Sequence, residues 1–121
     1  MAKVERFEDI KAWQKAREFN IKIYDITGNS RFAKDFSLRE QIRRASVSIM
    51  ANIAEGFGRK TVKDFANFLN MAHGSAAEVQ CHLYIALDRN YINENEFKTL
   101  YSETEGISKM IQSFMNYLGG S

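Results

Sequence analysis

The chain of 121 residues contains no proline. Nothing in it fixes φ or deletes a backbone donor in mid-element, so long unbroken helices are permitted. It has one cysteine, Cys81, which excludes an internal disulfide and suits a reducing cytosol. No run approaches the roughly 20 apolar residues that a bilayer-spanning helix needs. No segment sustains period-2 alternation, and there is no Asn-Gly or Asp-Gly turn, so hairpins and sheets are not expected. The stretch Lys3-Val4-Glu5-Arg6 is too charged for a secretory leader. A cytoplasmic protein of one domain, spanning 1–121, is the expectation.

These absences narrow the chemistry. A glycine-rich phosphate loop needs a preceding strand, and none is expected. No Ser/His/Asp or Cys/His arrangement is present. His73, Glu78, Cys81 and His82 share one predicted helix and are residue types that can ligate a metal. A di-iron bundle needs Glu-x-x-His on two helices, whereas Glu78 is followed at the third position by Cys81 and no second motif exists. The spacing fits no zinc signature either. The expectation is a protein without catalytic residues, metal or cofactor.

What is present is organised around Ala45 to Gly56. From Ala45 to Ala54 the only large polar side chain is Asn52. Ile42, Ala45, Ile49 and Ile53 recur at helical spacing and should face the core. Val47, Met50, Ala51 and Ala54 form a second apolar stripe on roughly the opposite side. A surface helix ordinarily has one apolar stripe, so the second is expected to meet another subunit. Asn52 and Glu55 are expected to bond neighbouring helices or that subunit and to fix register.

Four helices are predicted. The first runs over about 8–27, with Glu8 and Asp9 in its first turn and Gly28 as a left-handed cap. Its core stripe is Ala12, Ala16, Phe19, Ile23 and Ile26. A loop of about nine residues follows. The second covers about 38–56, opened by a Ser37–Glu40 capping box. The third covers about 62–89 with a stripe from Val62 through Phe65 and Leu69 to Ala86. The fourth covers about 94–118, opened by Asn93 and Glu96, with Leu100, Thr104, Ile107 and Ile111 inward. Short connections between long helices predict an all-α, antiparallel up-down-up-down four-helix bundle.

Charge is segregated along the chain. Residues 1–30 hold six basic and five acidic side chains, residues 31–63 eight and three, and residues 64–121 three and seven. The balances of +1, +5 and −4 sum to the net +2. A cationic middle region is suited to an anionic partner.

Several segments resemble one known family. They are Phe7-Glu8-Asp9-Ile10-Lys11-Ala12-Trp13, Gln41-Ile42-Arg43-Arg44-Ala45, Ala51-Asn52-Ile53-Ala54-Glu55-Gly56, and Gly74-Ser75 with Glu78. The chain resembles the bacterial helical-bundle proteins encoded in intervening sequences of 23S ribosomal RNA genes. The resemblance implies a homo-oligomer, a pentameric ring of bundles. It also implies kinship with the accessory variability protein of diversity-generating retroelements, which binds nucleic acid and a reverse transcriptase. Family members often carry proline where this chain has Met50, so a straighter second helix is expected here.

The functional expectation follows from charge and resemblance together. Arg39, Arg43 and Arg44 toward one end of the second helix, and Arg59, Lys60 and Lys63 at the other, are candidate contacts to nucleic acid, RNA rather than DNA. Lys3 and Arg6 are expected to join the second group. Two readings of these cations stay open: phosphate neutralisation with counterion release, or solvated faces and salt bridges. The corresponding alternative function is a protein-interaction scaffold with no nucleic-acid contact. Val47, Met50, Ala51, Asn52, Ala54 and Glu55 are the candidate subunit interface.

Overall fold

A computed structural model describes residues 4–120. A single 3-10 turn, Phe7–Asp9, precedes five α-helices: α1 Lys11–Thr27, α2 Ser30–Lys34, α3 Phe36–Phe57, α4 Val62–Asp88 and α5 Glu94–Gly120. No strand occurs among the described residues. The four long helices pack side by side, α1 on α3, α3 on α4, α4 on α5 and α5 back on α1. Where no proline intervenes, α3 is unbroken over 22 residues and about 33 Å long.

The periodic positions supply the core. Phe19 and Ile23 of α1, Ile42, Ile49 and Ile53 of α3, Leu69, Val79 and Leu83 of α4, and Ile107 and Ile111 of α5 are all buried. Burying each such side chain contributes roughly 1.5–3 kcal/mol. Polar contacts tie the helices in pairs. Ser46 Oγ meets Asn20 Oδ1 at 2.9 Å, and Arg43 Nε donates to Thr27 Oγ1 at 2.7 Å. Between α3 and α4, Ser75 Oγ donates to Ser48 Oγ at 2.9 Å. Farther along, α3 approaches α4 so closely that a Cβ on Gly56 would lie 2.7 Å from Phe68 Cβ and 2.9 Å from Phe65 Cδ1. Between α4 and α5, Phe65 stacks edgewise on Phe114 and Tyr84 lies against Phe97.

The structure corrects several expectations at the element ends. Helix α1 starts at Lys11, not near Glu8. Asp9 Oδ2 instead accepts from the amides of Glu5 and Arg6, closing the 3-10 turn, and Ile10 is extended before the helix begins. An aspartate that captures local amides competes with helix in this way. Gly28 does not take the left-handed cap, having φ −89°. Within the expected loop lies α2, anchored by the buried ring of Phe32.

The N-cap of α3 is Asp35, not Ser37. Its Oδ1 accepts from the Leu38 amide at 3.1 Å while Oδ2 accepts from Tyr91 Oη at 2.9 Å. A carboxylate with a second partner outcompetes a hydroxyl, and Ser37 Oγ accepts from Gln41 Nε2 instead. Of the α1 and α4 stripes, Ile26 is only half-buried, Thr27 is buried in its neighbourhood, and Val62 is exposed. The Asn93–Glu96 box forms in both directions, each bond 2.8 Å. Helix α4 ends on Asn90 at φ +61°, with the Tyr91 amide bonded to the Ala86 carbonyl and the Asn90 amide to that of Leu87. Asparagine tolerates this left-handed position that closes a helix end.

Candidate nucleic-acid interface

The six candidate cations divide into two kinds. Arg39, Arg43 and Arg59 are held by the protein itself. Arg43 donates Nε to Thr27 Oγ1 and Nη2 to the Tyr24 carbonyl at 3.2 Å, and its guanidinium lies 4.4 Å over the Tyr24 ring. It thereby caps the carbonyl end of α1, where a cation meets the negative end of the dipole. Arg39 donates Nη1 to the Ala33 carbonyl at 3.0 Å and lies 4.8 Å over Phe36. Arg59 pairs with Glu55 at 2.9 Å and lies 4.6 Å over Phe68.

Arg44, Lys60 and Lys63 are exposed and have no hydrogen-bond or ion-pair partner among the described residues. Lys60 sits in the α3–α4 turn and Lys63 in the first turn of α4. Of the two residues expected to join them, Arg6 is paired with Glu8 at 2.9 Å. Lys3 lies outside the described residues.

Two further cations lie on α2, in the segment whose composition predicts a loop. Arg31 and Lys34, on α2, line an open groove of about 550 Å³ together with Asp35, Phe36, Ser37 and Tyr91. The Arg31 guanidinium lies 5.6 Å over the Tyr91 ring. Both residues fall in the basic stretch 31–63, so the charge count held the signal.

The second stripe of α3 faces outward only in part, because Met50 packs against the core. Val47 is 41% exposed, Ala51 and Glu55 are exposed, and Met50, Asn52 and Ala54 are half-buried. The expected helix-bridging role of Asn52 is corrected: its Nδ2 donates to the carbonyl and hydroxyl of Ser48 on its own helix. Ser48 carries the link to α4 instead. Among the described residues Glu55 serves only the i, i+4 pair with Arg59.

On α4, His82 is buried and its Nε2 lies 3.4 Å from Glu78 Oε2. Cys81 is exposed. No group of three His, Cys, Asp or Glu side chains able to hold a metal ion occurs among the described residues. Nor is any described helix long and apolar enough to cross a membrane. Tyr84, Phe97 and Tyr101 form an aromatic cluster on α4 and α5, with centroids 4.8–5.7 Å apart. Desolvation, with Tyr84 and Glu105 adjacent, raises the Tyr101 phenol above its ordinary range.

The model of one family, described as 23S rRNA-intervening sequence protein, matches residues 8–113. The chain belongs to that family. The intervening-sequence family match takes in α1 through most of α5, including all six candidate cations. Among solved structures, the chain is similar to a protein of unknown function from the S23 ribosomal protein family of Bacteroides thetaiotaomicron. The two share 29% identity over 86% of this chain and 97% of that one, with a TM-score of 0.79. No curated protein matches.

Proposed function

We propose that this intervening-sequence family protein is a non-enzymatic, homo-oligomeric helical bundle that binds nucleic acid, RNA in preference to DNA, through its cationic surface. One observation carries the reading. Residues 31–63 hold eight basic against three acidic side chains, and Arg31, Lys34, Arg44, Lys60 and Lys63 in that stretch have no acidic partner among the described residues. Phosphates neutralised by such side chains release counterions, and this term is independent of sequence.

An up-down-up-down topology is supported by residue pairs that run in opposite order. Thr27 meets Arg43 while Asn20 meets Ser46; Ser48 meets Ser75 while Gly56 meets Phe68. Tyr84 meets Phe97 while Phe65 meets Phe114. Assembly into a ring, of five copies as the family resemblance implies, is supported by the exposed Val47 and Ala51 on the outer side of α3, with Met50 and Ala54 half-buried beside them. Covering them removes apolar area from water at about 25 cal/mol per Å². A cytoplasmic location fits the single free thiol.

The test is retention on a structured RNA at two salt concentrations, with light scattering on the same samples. Reversal of Arg44, Lys60 and Lys63 to Glu is expected to abolish retention while leaving the oligomer intact. Retention that ignores salt would contradict the mechanism. The second reading, a scaffold whose partner is another protein, is favoured by Tyr84, an exposed ring resting on the half-buried Phe97 and Tyr101. It predicts that the reversal leaves partner capture unchanged.

A further inference from the structure

The groove between α2, the start of α3 and the α4–α5 connection differs from the rest of the basic surface. Phe36 is 66% exposed, the most exposed large hydrophobic side chain among the described residues. It belongs to no aromatic pair, and its ring contact is the Arg39 guanidinium at 4.8 Å. Arg39 is itself fixed, by Nη1 on the Ala33 carbonyl. Its Nε is buried and makes no hydrogen bond, lying 3.5 Å from Glu40 Oε2. A single exposed phenylalanine is ordinary on a protein surface. One held in place by a pinned guanidinium, beside two further cations, has a composition suited to a π-face flanked by phosphates. Arg31 and Lys34 supply those cations on the groove wall. The one carboxylate lining it, Asp35, is engaged by the Leu38 amide and the Tyr91 hydroxyl.

We propose that this groove binds one unpaired nucleotide of a single-stranded RNA, its base stacked on the free area of the Phe36 ring and its adjoining phosphates neutralised by Arg31 and Lys34. The inference rests on the nucleic-acid reading above and narrows it. Stacked between base and guanidinium, Phe36 reads the presence of an unpaired base without reading its identity, because every base has a π-face. Arg39 is a positioning residue that holds the ring. The groove is open to solvent along its length, so a nucleotide within a strand can lie against the ring without entering an enclosed cavity. In a paired stem the bases are stacked on one another and unavailable to the ring, so the groove favours unpaired strands, loops and ends.

The experiment compares a fluorescein-labelled uridine dodecamer, a hairpin stem labelled in the same way, and sodium polyphosphate, using the full chain. Phe36→Ala is expected to weaken the dodecamer by about ten-fold and to leave the stem and polyphosphate unchanged. Phe36→Trp is expected to retain dodecamer affinity and to show tryptophan quenching on binding, over the constant background of Trp13. Thermal unfolding of both variants should stay close to the parent, because the ring is 66% exposed and so adds little to the core. If the parent binds the dodecamer and Phe36→Ala binds it equally well, the groove proposal is overturned while the nucleic-acid reading stands. An equal loss for dodecamer and polyphosphate also overturns it, since base stacking then plays no part. If the parent binds none of the three, the underlying reading falls and the groove with it.

Discussion

The two ends of α3 carry similar numbers of cations and use them differently. At the amino end, Arg39 and Arg43 reach back onto the chain. They bond carbonyls of α1 and α2, and they cover the rings of Tyr24 and Phe36. At the carboxyl end Arg59 covers Phe68, but Lys60 and Lys63 stand in water without a partner among the described residues. Arginine's planar, weakly hydrated fork suits stacking and carbonyl bonding, whereas a lysine ammonium keeps its hydration. Counting charge therefore overstates the free cations at the amino end. Position matters as well as residue type: adjacent arginines 43 and 44 differ by one helical step, and only the first meets α1.

The largest test of the comparison is at the carboxyl end, where α3 and α4 touch. Gly56→Ala would place a methyl carbon 2.7 Å from Phe68 Cβ, closer than real contacts allow. The two helices must separate, and overpacking of this kind costs about 1–3 kcal/mol. Chemical denaturation should record that loss. It would also shift Phe68 beneath Arg59, so any RNA effect of this variant would be indirect. An unchanged midpoint would mean that the close approach of the helices is not a rigid feature of the fold.

Arg43→Ala is expected to cost less, about 1–2 kcal/mol, by removing the bonds to Thr27 and the Tyr24 carbonyl. Thr27 Oγ1 keeps its own donation to the Ile23 carbonyl, so no buried hydroxyl is orphaned. The control is Arg44→Ala, which should leave the denaturation midpoint within about 0.5 kcal/mol. Equal losses in the two variants would erase the distinction between pinned and free arginines.

How much of this was legible from the sequence depends on the range of the interaction. The stripes Ile42–Ile53 and Leu69–Ala86 were legible because burial repeats every turn, and the Asn93–Glu96 box because both partners lie within one turn. The Asp35 cap was not, since its deciding partner Tyr91 lies 56 residues away. Helix α2 was hidden because one buried side chain, Phe32, anchors it, and one residue has no period. The charge count found the basic region but could not separate Arg43 from Arg44. That separation depends on where α1 ends in space.

The smallest expected effect on stability is also the sharpest on function. Lys60 and Lys63 bond no side chain or carbonyl among the described residues, so Lys60→Ala with Lys63→Ala should unfold with the parent midpoint. Each lysine that neutralises a phosphate releases a counterion, and its removal should reduce the slope of log affinity against log salt by about 1. The expected result is a slope shallower by about 2 for the double variant, with affinity falling alike for RNAs of different sequence. Arg59→Ala is the internal control at the same end. Its guanidinium already has Glu55 and Phe68, so the slope should move less than for either lysine. If Arg59 changed the slope as much as Lys60, pairing with Glu55 would not withhold it from phosphate. The contrast between held and free cations would then describe the isolated protein and not its complex with RNA.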